Sequence, residues 1–478
     1  MLKVIEFSKH YQGDQRSEVS FEKDLDKNQA DMPLNESPFE LSQFIHIIKN
    51  NKNYTLFSST TATMIQGEGT WAYFLKNLIT KKQINKNPHF LQTMKRLGFI
   101  IPKGRDEKAE LRISMMSKRF RTDFLSLTIL PTAFCNFKCT YCYEGSKKAT
   151  NQMKKNVQDE ILHLLDGCSK KACGFHLDWF GGEPLLAFDV IENLSEKALT
   201  ICEKNNIDFF SSITTNGYLL TKPIAKKLSK YNFRHAQITI DGQKKFHDRN
   251  RILLNGKGTY DRILQNLCAA VEYLPIIVRV NVDKENFLYI EEFLNDLKAH
   301  GLGKNITVYF SCIHDSCRNY DYDKTKAFTL LEFIKIRENL CEKLREFDFK
   351  QLNHRLFPKL MASNCIATKA LHYIIGPKGE LYKCTEDVGN DSETIGNIFD
   401  FTNEVISGIG SENRSYCSKF MNFDPTLNSV CGKCSFLPIC MGGCAKKHIE
   451  KILPNNCFLK QGFKMMLQNE AKVKYEYC

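Results

Sequence analysis

Three cysteines within eight residues constrain this chain more than any other feature of its sequence. Cys135, Cys139 and Cys142 have the spacing CxxxCxxC and follow directly after the apolar run of residues 124–130. A structural zinc site normally takes four protein ligands, whereas three thiolates can hold a four-iron cluster and leave one iron open. The spacing therefore predicts a [4Fe–4S] cluster whose open iron binds a chelating substrate or cofactor. A zinc knuckle or three buried cysteines are the alternatives.

The length and composition indicate a globular protein of several domains. The chain has 478 residues, of which 42% are hydrophobic and 25% charged, enough for about two to four domains. No apolar run approaches the roughly 18 residues that span a bilayer, and the N-terminus lacks the apolar core of a signal peptide. We therefore expect a cytoplasmic protein with no membrane partner, in which the 19 cysteines indicate metal sites rather than disulfides.

The net charge of +13 raises the question of a nucleic-acid partner. Lysines are spread along the whole chain, which has neither a dense basic stripe nor an aromatic RNA-binding signature. We therefore expect a solvated, lysine-rich surface and no nucleic-acid partner. Attraction of an acidic peptide is the alternative consequence of this charge.

The chain before the first cysteine motif predicts a flexible segment and a small domain. Residues 1–37 are polar and unpatterned, so we expect them to be flexible. Residues 38–120 contain short strand and amphipathic helix patterns, over residues 54–60, 71–79, 90–97 and 99–102. We expect a small α+β domain that is winged-helix-like in outline, and the alternative is a helical lid on a catalytic domain.

Residues 121–325 show strands that alternate with helices. The predicted strands cover residues 125–130, 175–180, 209–214, 236–240, 276–282 and 306–310. The predicted helices between them cover residues 157–165, 190–202, 224–230, 260–273 and 290–300. This alternation predicts an α/β fold with a parallel sheet, and six repeats fit a partial (β/α)6 TIM-like barrel. Function in such a sheet lies at the carboxyl ends of the strands.

Polar motifs follow three of these strands at their carboxyl ends. GGEP at residues 181–184 follows the second strand, TTNG at 214–217 the third and TIDG at 239–242 the fourth. Paired glycines let the backbone approach a ligand closely, and Glu183 supplies an anion for an ammonium group. In the fifth strand, alternate polar residues face either a ligand or a polar barrel interior.

The cysteine motif and GGEP together resemble the radical S-adenosylmethionine (SAM) superfamily. The likeness includes Tyr141 before the last cysteine and GGEP roughly forty residues later, a specific combination of motifs. It implies that the cluster binds SAM, with Tyr141 in the cofactor site. It also implies that Gly181, Gly182 and Glu183 hold the amino group of the methionine moiety.

Three further positions are implied to contact SAM. Thr239 and Arg251 keep the spacing of a serine and an arginine in the sulfatase-maturing branch, where this pair binds the SAM carboxylate. Ile313, which follows Cys312 after the sixth strand, is expected to pack on the adenine. The resemblance implies reductive cleavage of SAM to a 5′-deoxyadenosyl radical, with flavodoxin or ferredoxin as the electron donor. The sequence assigns no catalytic acid or base.

Seven cysteines in residues 326–478 form a second metal-binding pattern. They are Cys365, Cys384, Cys431, Cys434, Cys440, Cys444 and Cys457. Taken alone, the four from 431 to 444 would also suit zinc. The complete order resembles the loop-rich SPASM domain of radical SAM enzymes, which implies two auxiliary [4Fe–4S] clusters. By position, the outer cluster takes Cys431, Cys434, Cys440 and Cys457, and the inner one takes Cys365, Cys384 and Cys444.

The chain departs from the sulfatase-maturing branch at two places. That branch has a further cysteine about six residues before the Cys365 position, where this chain has Lys359 and Leu360. The inner cluster then has an open iron or borrows a distant thiol, such as that of Cys312, Cys317 or Cys341. The branch also has an aspartate base directly after the Cys384 position, where this chain has Thr385.

These departures favour a maturase of ribosomally synthesised peptides that forms a thioether or another crosslink. We expect a peptide substrate whose leader is captured by the N-terminal domain through strand addition to a sheet edge. A sulfatase-type, formylglycine-forming enzyme and a quinocofactor-type maturation enzyme are the alternatives with the same fold. A non-catalytic iron–sulfur electron carrier or adaptor is the alternative from another class.

Overall fold

The computed structural model describes residues 2–6, 17–21, 31–50, 53–142, 152–313, 322–351, 365–407, 419–451 and 457–472. The chain divides into two compact units. The terminal unit comprises residues 1–119, 354–365 and 423–478, and the central unit comprises residues 120–353 and 366–422. Among the described residues, no helix is both long and apolar enough to cross a membrane.

Among the described residues, the terminal unit begins with nine short strands and three helices. The strands are β1 Leu2–Glu6, β2 Ser17–Phe21, β3 Asp31–Pro33, β4 Phe39–Leu41, β5 Ile45–Asn50, β6 Asn53–Ser58, β7 Thr63–Gly67, β8 Gln83–Asn85 and β9 Ile100–Pro102. The helices are α1 Thr70–Lys76, which continues as a π-helix over Asn77–Lys81, α2 Pro88–Arg96 and α3 Glu107–Arg119. Five strands form an antiparallel sheet in the order β2-β1-β7-β6-β5, and two further pairs, β3–β8 and β4–β9, complete the strand pairing.

The structure confirms the helix and strand patterns of this region but adds elements that the sequence did not suggest. Residues 1–37, expected to be flexible, contribute β1 and β2 to the sheet, consistent with the β-branched Val4 and Ile5 in β1. Helix α3 was also not predicted. The Asn87 side chain caps α2 by accepting from the backbone nitrogens of His89 and Phe90.

The terminal-unit sheet is apolar on both faces. On one face, Leu56 and Ile65 form a core with residues of α1 and α2. On the other face, Phe57 and Met64 join a second cluster with Phe436, Ile439, Phe463 and Leu467 from the C-terminal part of the chain. Those residues lie around two helices, Leu437–Cys440 and Phe458–Lys472. Because strand side chains alternate between faces, this sheet packs the N-terminal residues against the C-terminal cysteine region.

The central unit contains the predicted barrel strands in a ten-stranded sheet. The strands are β10 Phe124–Ile129, β11 Gly174–Trp179, β12 Asp208–Thr215, β13 Phe233–Thr239, β14 Ile276–Val282, β15 Ile306–Cys312, β16 Lys350–Gln351, β17 His372–Ile375, β18 Glu380–Tyr382 and β19 Gly396–Asn397. All six predicted strands are present, and β10 to β15 lie side by side in parallel. Strand β17 adds in parallel to β10, followed by the antiparallel β18 and β19.

Helices connect these strands and include the five that the sequence predicts. They are α4 Lys155–Ser169, α5 Phe188–Asn205, α6 Lys222–Leu228, α7 Lys244–Asn250, α8 Tyr260–Ala270, α9 Ile290–Ala299, α10 Leu330–Glu346 and α11 Ile398–Ser407. A capping box of Thr329 and Glu332 begins α10. The parallel order places the carboxyl ends of β10 to β15 on one edge, where each predicted motif lies.

The inward positions of several central strands are polar. Ser212 Oγ donates to Asp178 Oδ1 at 2.6 Å and lies 2.9 Å from His176 Nε2. On β14, Arg279 Nε donates to Asn281 Oδ1 at 2.8 Å. Burial raises the pKa of Asp178 to about 6, opposed by the Ser212 hydrogen bond. In these pairs, polar side chains of the sheet are hydrogen-bonded to one another. This agrees with the alternative that polar residues of the strands fill a polar barrel interior.

Candidate cofactor site

The loop after β10 places the three clustered cysteines beside Arg251. Cys135, Cys139 and Cys142 are half-buried. Backbone hydrogen bonds attach their loop to residues 250–254, among them Lys138 N to Ile252 O at 2.8 Å. Among the described residues, no three His, Cys, Asp or Glu side chains converge in metal-binding geometry. The three-thiolate ligand set therefore stays a prediction. The loop that carries these cysteines lies at the carboxyl end of β10.

The two glycines of GGEP are required by the cysteine loop. A Cβ at Gly182 would lie 2.3 Å from the carbonyl oxygen of Phe134. Gly181 has a φ of +120°, and a Cβ there would lie 2.6 Å from the carbonyl oxygen of Thr132. The backbone nitrogen of Glu183 donates to Phe134 O at 2.9 Å. Only glycine permits this close approach, which supports the loop that carries Cys135.

Glu183 is buried and accepts hydrogen bonds from within the chain, which the sequence did not predict. Its side chain is fully buried. Its carboxylate accepts from Leu185 N at 3.0 Å, Thr215 Oγ1 at 2.6 Å and Asn216 N at 2.7 Å. Burial raises the pKa of this carboxyl, and the three hydrogen bonds oppose that rise. Glu183 therefore links GGEP to the turn after β12, and its contact with an ammonium group stays a prediction.

Replacing Glu183 by glutamine is expected to destabilise the central unit by about 2 kcal/mol, because a carboxamide cannot accept all three hydrogen bonds and leaves a buried donor unpaired. Anaerobic urea unfolding followed by circular dichroism measures the change. Glu192→Gln is the matched control, since Glu192 forms a surface ion pair with Lys227. Equal stability of the two variants would contradict the linking role of Glu183.

The Tyr141 hydroxyl is the centre of a buried polar network. It donates to Asp241 Oδ2. It accepts from Arg251 Nη1 and from Asn281 Nδ2, each at 3.1 Å. Burial raises the pKa of Tyr141 well above its usual range and that of Asp241 to about 6. Two of the predicted SAM contacts, Tyr141 and Arg251, are thus brought together directly.

Two charged atoms in this network lack partners. Arg251 Nε and Asp241 Oδ1 are buried without a hydrogen-bond partner among the described residues. Thr239, at the end of β13, is also buried. A positive donor and a negative acceptor complement the carboxylate and ammonium of an amino acid. The methionine moiety of SAM fits this donor set.

The predicted adenine contact lies near the same network. Ile313 is buried in a small apolar cluster with Tyr322 and Ala327, and Tyr141 packs against that cluster. The backbone nitrogen of Ile313 donates to Val282 O at 3.2 Å. The fold therefore places Ile313 near the Tyr141 ring, while its contact with adenine stays a prediction.

Sequence reasoning did not assign site roles to Asp241 or Asn216, and it left open whether Asn281 faces SAM or substrate or fills a polar barrel interior. Asp241 belongs to the TIDG motif, which was a usable signal. Asn281 was only one of the inward polar positions of its strand. Asn216 Nδ2 donates to Asn136 Oδ1 at 2.8 Å and lies 4.0 Å from Cys135 Sγ. The TNG motif was the signal for Asn216, but its contact with the cysteine loop depends on the fold.

Four C-terminal cysteines belong to the same part of the terminal unit, although among the described residues they do not converge in metal-binding geometry. Cys431, Cys434, Cys440 and Cys457 are half-buried, and their thiols interact electrostatically. Burial, followed by the neighbouring thiolates, raises the pKa of Cys431 to about 11 and that of Cys440 to about 12. These are the thiols predicted for the outer cluster, and that ligand set stays a prediction.

The remaining predicted cysteine ligands are half-buried. Cys365 and Cys444 belong to the terminal unit, and Cys384 belongs to the central unit. Among the thiols considered as an extra ligand, Cys312 is buried, Cys341 is half-buried, and Cys317 lies outside the described residues. The inner ligand set stays a prediction.

A family comparison identifies the domain that carries the Tyr141 network. The model of the radical SAM superfamily matches residues 129–297, from the end of β10 into α9. The chain contains a radical SAM domain. The match includes the three clustered cysteines, GGEP and Arg251. The protein is accordingly an enzyme with a radical SAM domain.

Maturases are among the relatives of this radical SAM enzyme. A cysteine-type anaerobic sulfatase-maturating enzyme of Clostridium novyi is 25% identical over 388 residues, 73% of this chain and 96% of the relative. Native anSMEcpe with bound AdoMet and Kp18Cys peptide matches with a TM-score of 0.55 and 20% identity, over 73% of this chain and 100% of that one. Streptococcus suis SuiB bound to precursor peptide SuiA matches with a TM-score of 0.52 and 17% identity, over 87% of this chain and 97% of that one. The structural matches confirm the predicted radical SAM fold.

Proposed function

We propose that this radical SAM enzyme is a maturase that crosslinks a ribosomally synthesised peptide. The observation that carries the proposal is the extent of the match to SuiB, 87% of this chain against 73% for anSMEcpe. The likeness to a protein that binds a precursor peptide therefore includes more of the chain than the likeness to a sulfatase-maturating enzyme. We infer that the terminal unit contributes to peptide binding.

The Tyr141 network supports SAM binding in the radical SAM domain. When bound through Cys135, Cys139 and Cys142, a [4Fe–4S] cluster with SAM supplies a 5′-deoxyadenosyl radical by reductive cleavage. Arg251 Nε offers a donor to the SAM carboxylate, and Asp241 Oδ1 offers an acceptor to the ammonium. Tyr141 holds both side chains in place, while Ile313 contributes apolar surface. Flavodoxin or ferredoxin is the proposed electron donor.

The C-terminal cysteines support at least one auxiliary cluster. Cys431, Cys434 and Cys440 each interact electrostatically with Cys457, and a set of four neighbouring, half-buried thiols suits ligation of an iron–sulfur cluster. A second auxiliary cluster, which the order of the seven cysteines predicts, completes the proposed cofactor set. Such clusters would accept an electron from the peptide product or hold the peptide during modification.

The terminal unit offers a sheet edge for the leader of such a peptide. Among the described strands, β2 pairs with β1 alone and β5 forms the opposite edge of the sheet. An edge strand has backbone N–H and C=O groups that can pair with an added strand. Because the other edge strand packs Ile48 against the C-terminal cluster with Phe436, we place the leader along β2.

A sulfatase-type, formylglycine-forming activity is the second candidate. It is favoured by the Clostridium novyi relative, of which 96% is matched. Thr385 after Cys384 weakens this candidate, since the sulfatase-maturing branch has an aspartate at that position.

Anaerobic incubation of the reconstituted enzyme with SAM and dithionite tests the two candidates. One arm adds synthetic peptides encoded by short reading frames beside the gene, and the other adds a cysteine-containing sulfatase peptide. We expect 5′-deoxyadenosine and a peptide that loses hydrogen but keeps its sulfur. Replacement of the thiol sulfur by oxygen in the sulfatase peptide alone would establish the second candidate. No 5′-deoxyadenosine in any arm, even with peptide present, would refute enzymatic cleavage of SAM.

A further inference from the structure

The end of α3 places a charged side chain in the interior of the terminal unit. Arg119 is fully buried, and its Nη1 donates to the backbone oxygen of Phe423. The guanidinium also lies 5.8 Å from the centroid of the Phe423 ring. Its Nε and Nη2 are buried without a hydrogen-bond partner among the described residues. Arg119 thus brings a positive charge and two nitrogens with unused donors into the protein interior.

The carboxylate with the largest electrostatic effect on Arg119 already accepts hydrogen bonds from other residues. Asp424 interacts electrostatically with Arg119, but its Oδ2 accepts from Arg112 Nε at 2.6 Å. Its Oδ1 accepts from the backbone nitrogen of Thr426 at 2.9 Å and from the Thr426 hydroxyl at 2.6 Å. Burial lowers the pKa of Arg119, yet a guanidinium stays protonated in proteins. A buried charge that lacks a close counter-ion is strongly unfavourable, so a further anion is expected near Arg119.

The second group that interacts electrostatically with Arg119 is the thiol of Cys365. Cys365 is half-buried, belongs to the same unit, and is the first of the seven C-terminal cysteines. A thiolate that ligates iron is deprotonated, and iron–sulfur clusters with thiolate and sulfide ligands are anionic. Such a group would neutralise the charge of Arg119 and accept hydrogen bonds from its unused N–H groups.

We infer that Arg119 carries the counter-charge for an anionic iron–sulfur group bound through Cys365, and that its unused N–H groups donate to sulfur atoms of that group. The inference rests on the proposed auxiliary clusters. Hydrogen bonds to cluster sulfur and a nearby positive charge favour the reduced state, so they raise the reduction potential. Arg119 is therefore a residue that raises the reduction potential of an auxiliary cluster and does not contact the substrate.

An EPR-monitored redox titration of the full-length, reconstituted protein tests this role. In Arg119→Gln, one cluster should show a midpoint potential shifted to more negative values, because the reduced state loses its counter-charge. Arg119→Lys should show a smaller shift, since it keeps the charge but loses the planar donor fork. Lys118→Gln is the matched control, as it removes the same charge from an exposed position one residue away, and its potentials should equal those of the wild type.

Cys365→Ala separates failure of this inference from failure of the proposed cofactor set. The variant should lose one EPR signal and about four iron atoms per chain. If it keeps the iron and all signals, no cluster is bound through Cys365 and the proposed auxiliary cluster fails. If it loses a cluster whose potential is unchanged in Arg119→Gln, the cluster stands and the role of Arg119 is refuted.

A spectroscopic measurement keeps the test decisive if Arg119→Gln does not fold. In wild-type protein labelled with 15N at the guanidino group of arginine, pulsed EPR of the reduced cluster whose signal Cys365→Ala removes should detect a nitrogen hyperfine coupling. The coupling should be lost in Arg119→Lys, which retains a long cationic side chain. A coupling that is absent from the wild type or unchanged in Arg119→Lys would overturn the inference.

Discussion

Replacing Cys135, Cys139 and Cys142 by alanine is expected to abolish formation of 5′-deoxyadenosine from SAM. Without these thiolates the radical SAM domain has no ligands for the cluster that delivers the electron, so the loss should be complete rather than partial. The triple variant should also bind about four fewer iron atoms per chain than the wild type. Anaerobic reconstitution, iron analysis and chromatography of the nucleoside product measure both effects.

Cys268→Ala provides the matched control for the triple variant. Cys268 lies on α8, outside both cysteine motifs, and its thiol is 3.7 Å from the carbonyl oxygen of His300. This variant should keep the iron content and SAM cleavage of the wild type. Cleavage of SAM by the triple variant would show that the cluster has other ligands.

Removing the guanidinium in Arg251→Gln is expected to weaken SAM binding by up to about a hundredfold. Arg251 is buried beside Asp241, and a hydrogen bond to a charged group such as the SAM carboxylate typically contributes about 1.5–3 kcal/mol. The SAM carboxylate would lose the proposed donor at Nε. Anaerobic equilibrium dialysis with SAM measures the dissociation constant, and circular dichroism checks that the variant is folded.

Arg262→Gln is the control for Arg251→Gln. Arg262 lies on α8, and its Nη1 donates to the nearby Gln265 side chain at the exposed surface. It carries the same charge but has no part in the Tyr141 network. Equal affinity for SAM in the Arg251 and Arg262 variants, with both folded and loaded with iron, would remove Arg251 from the SAM site.

Local sequence patterns were sufficient for the central architecture. The six parallel strands and the helices between them appear where apolar periodicity placed them, because short-range patterns record which face of an element is buried. The same holds for α2, whose cap and terminating glycine are local signals. Helix α3 and strands β1 and β2 were missed, because their weak local patterns become stable only through pairing and packing with distant residues.

The sequence by itself determined the chemical class of the site. CxxxCxxC, GGEP and TIDG at successive strand ends are short motifs whose residue types suit an iron–sulfur cluster and an amino-acid cofactor, and the radical SAM domain confirms that class. Only the tertiary structure decided which side chains contact one another in the site. Tyr141 contacts Asn281 across 140 positions of sequence, and Glu183 anchors a turn 33 residues away. Burial and long-range hydrogen bonding determine such pairings, and no local pattern in the chain encodes them.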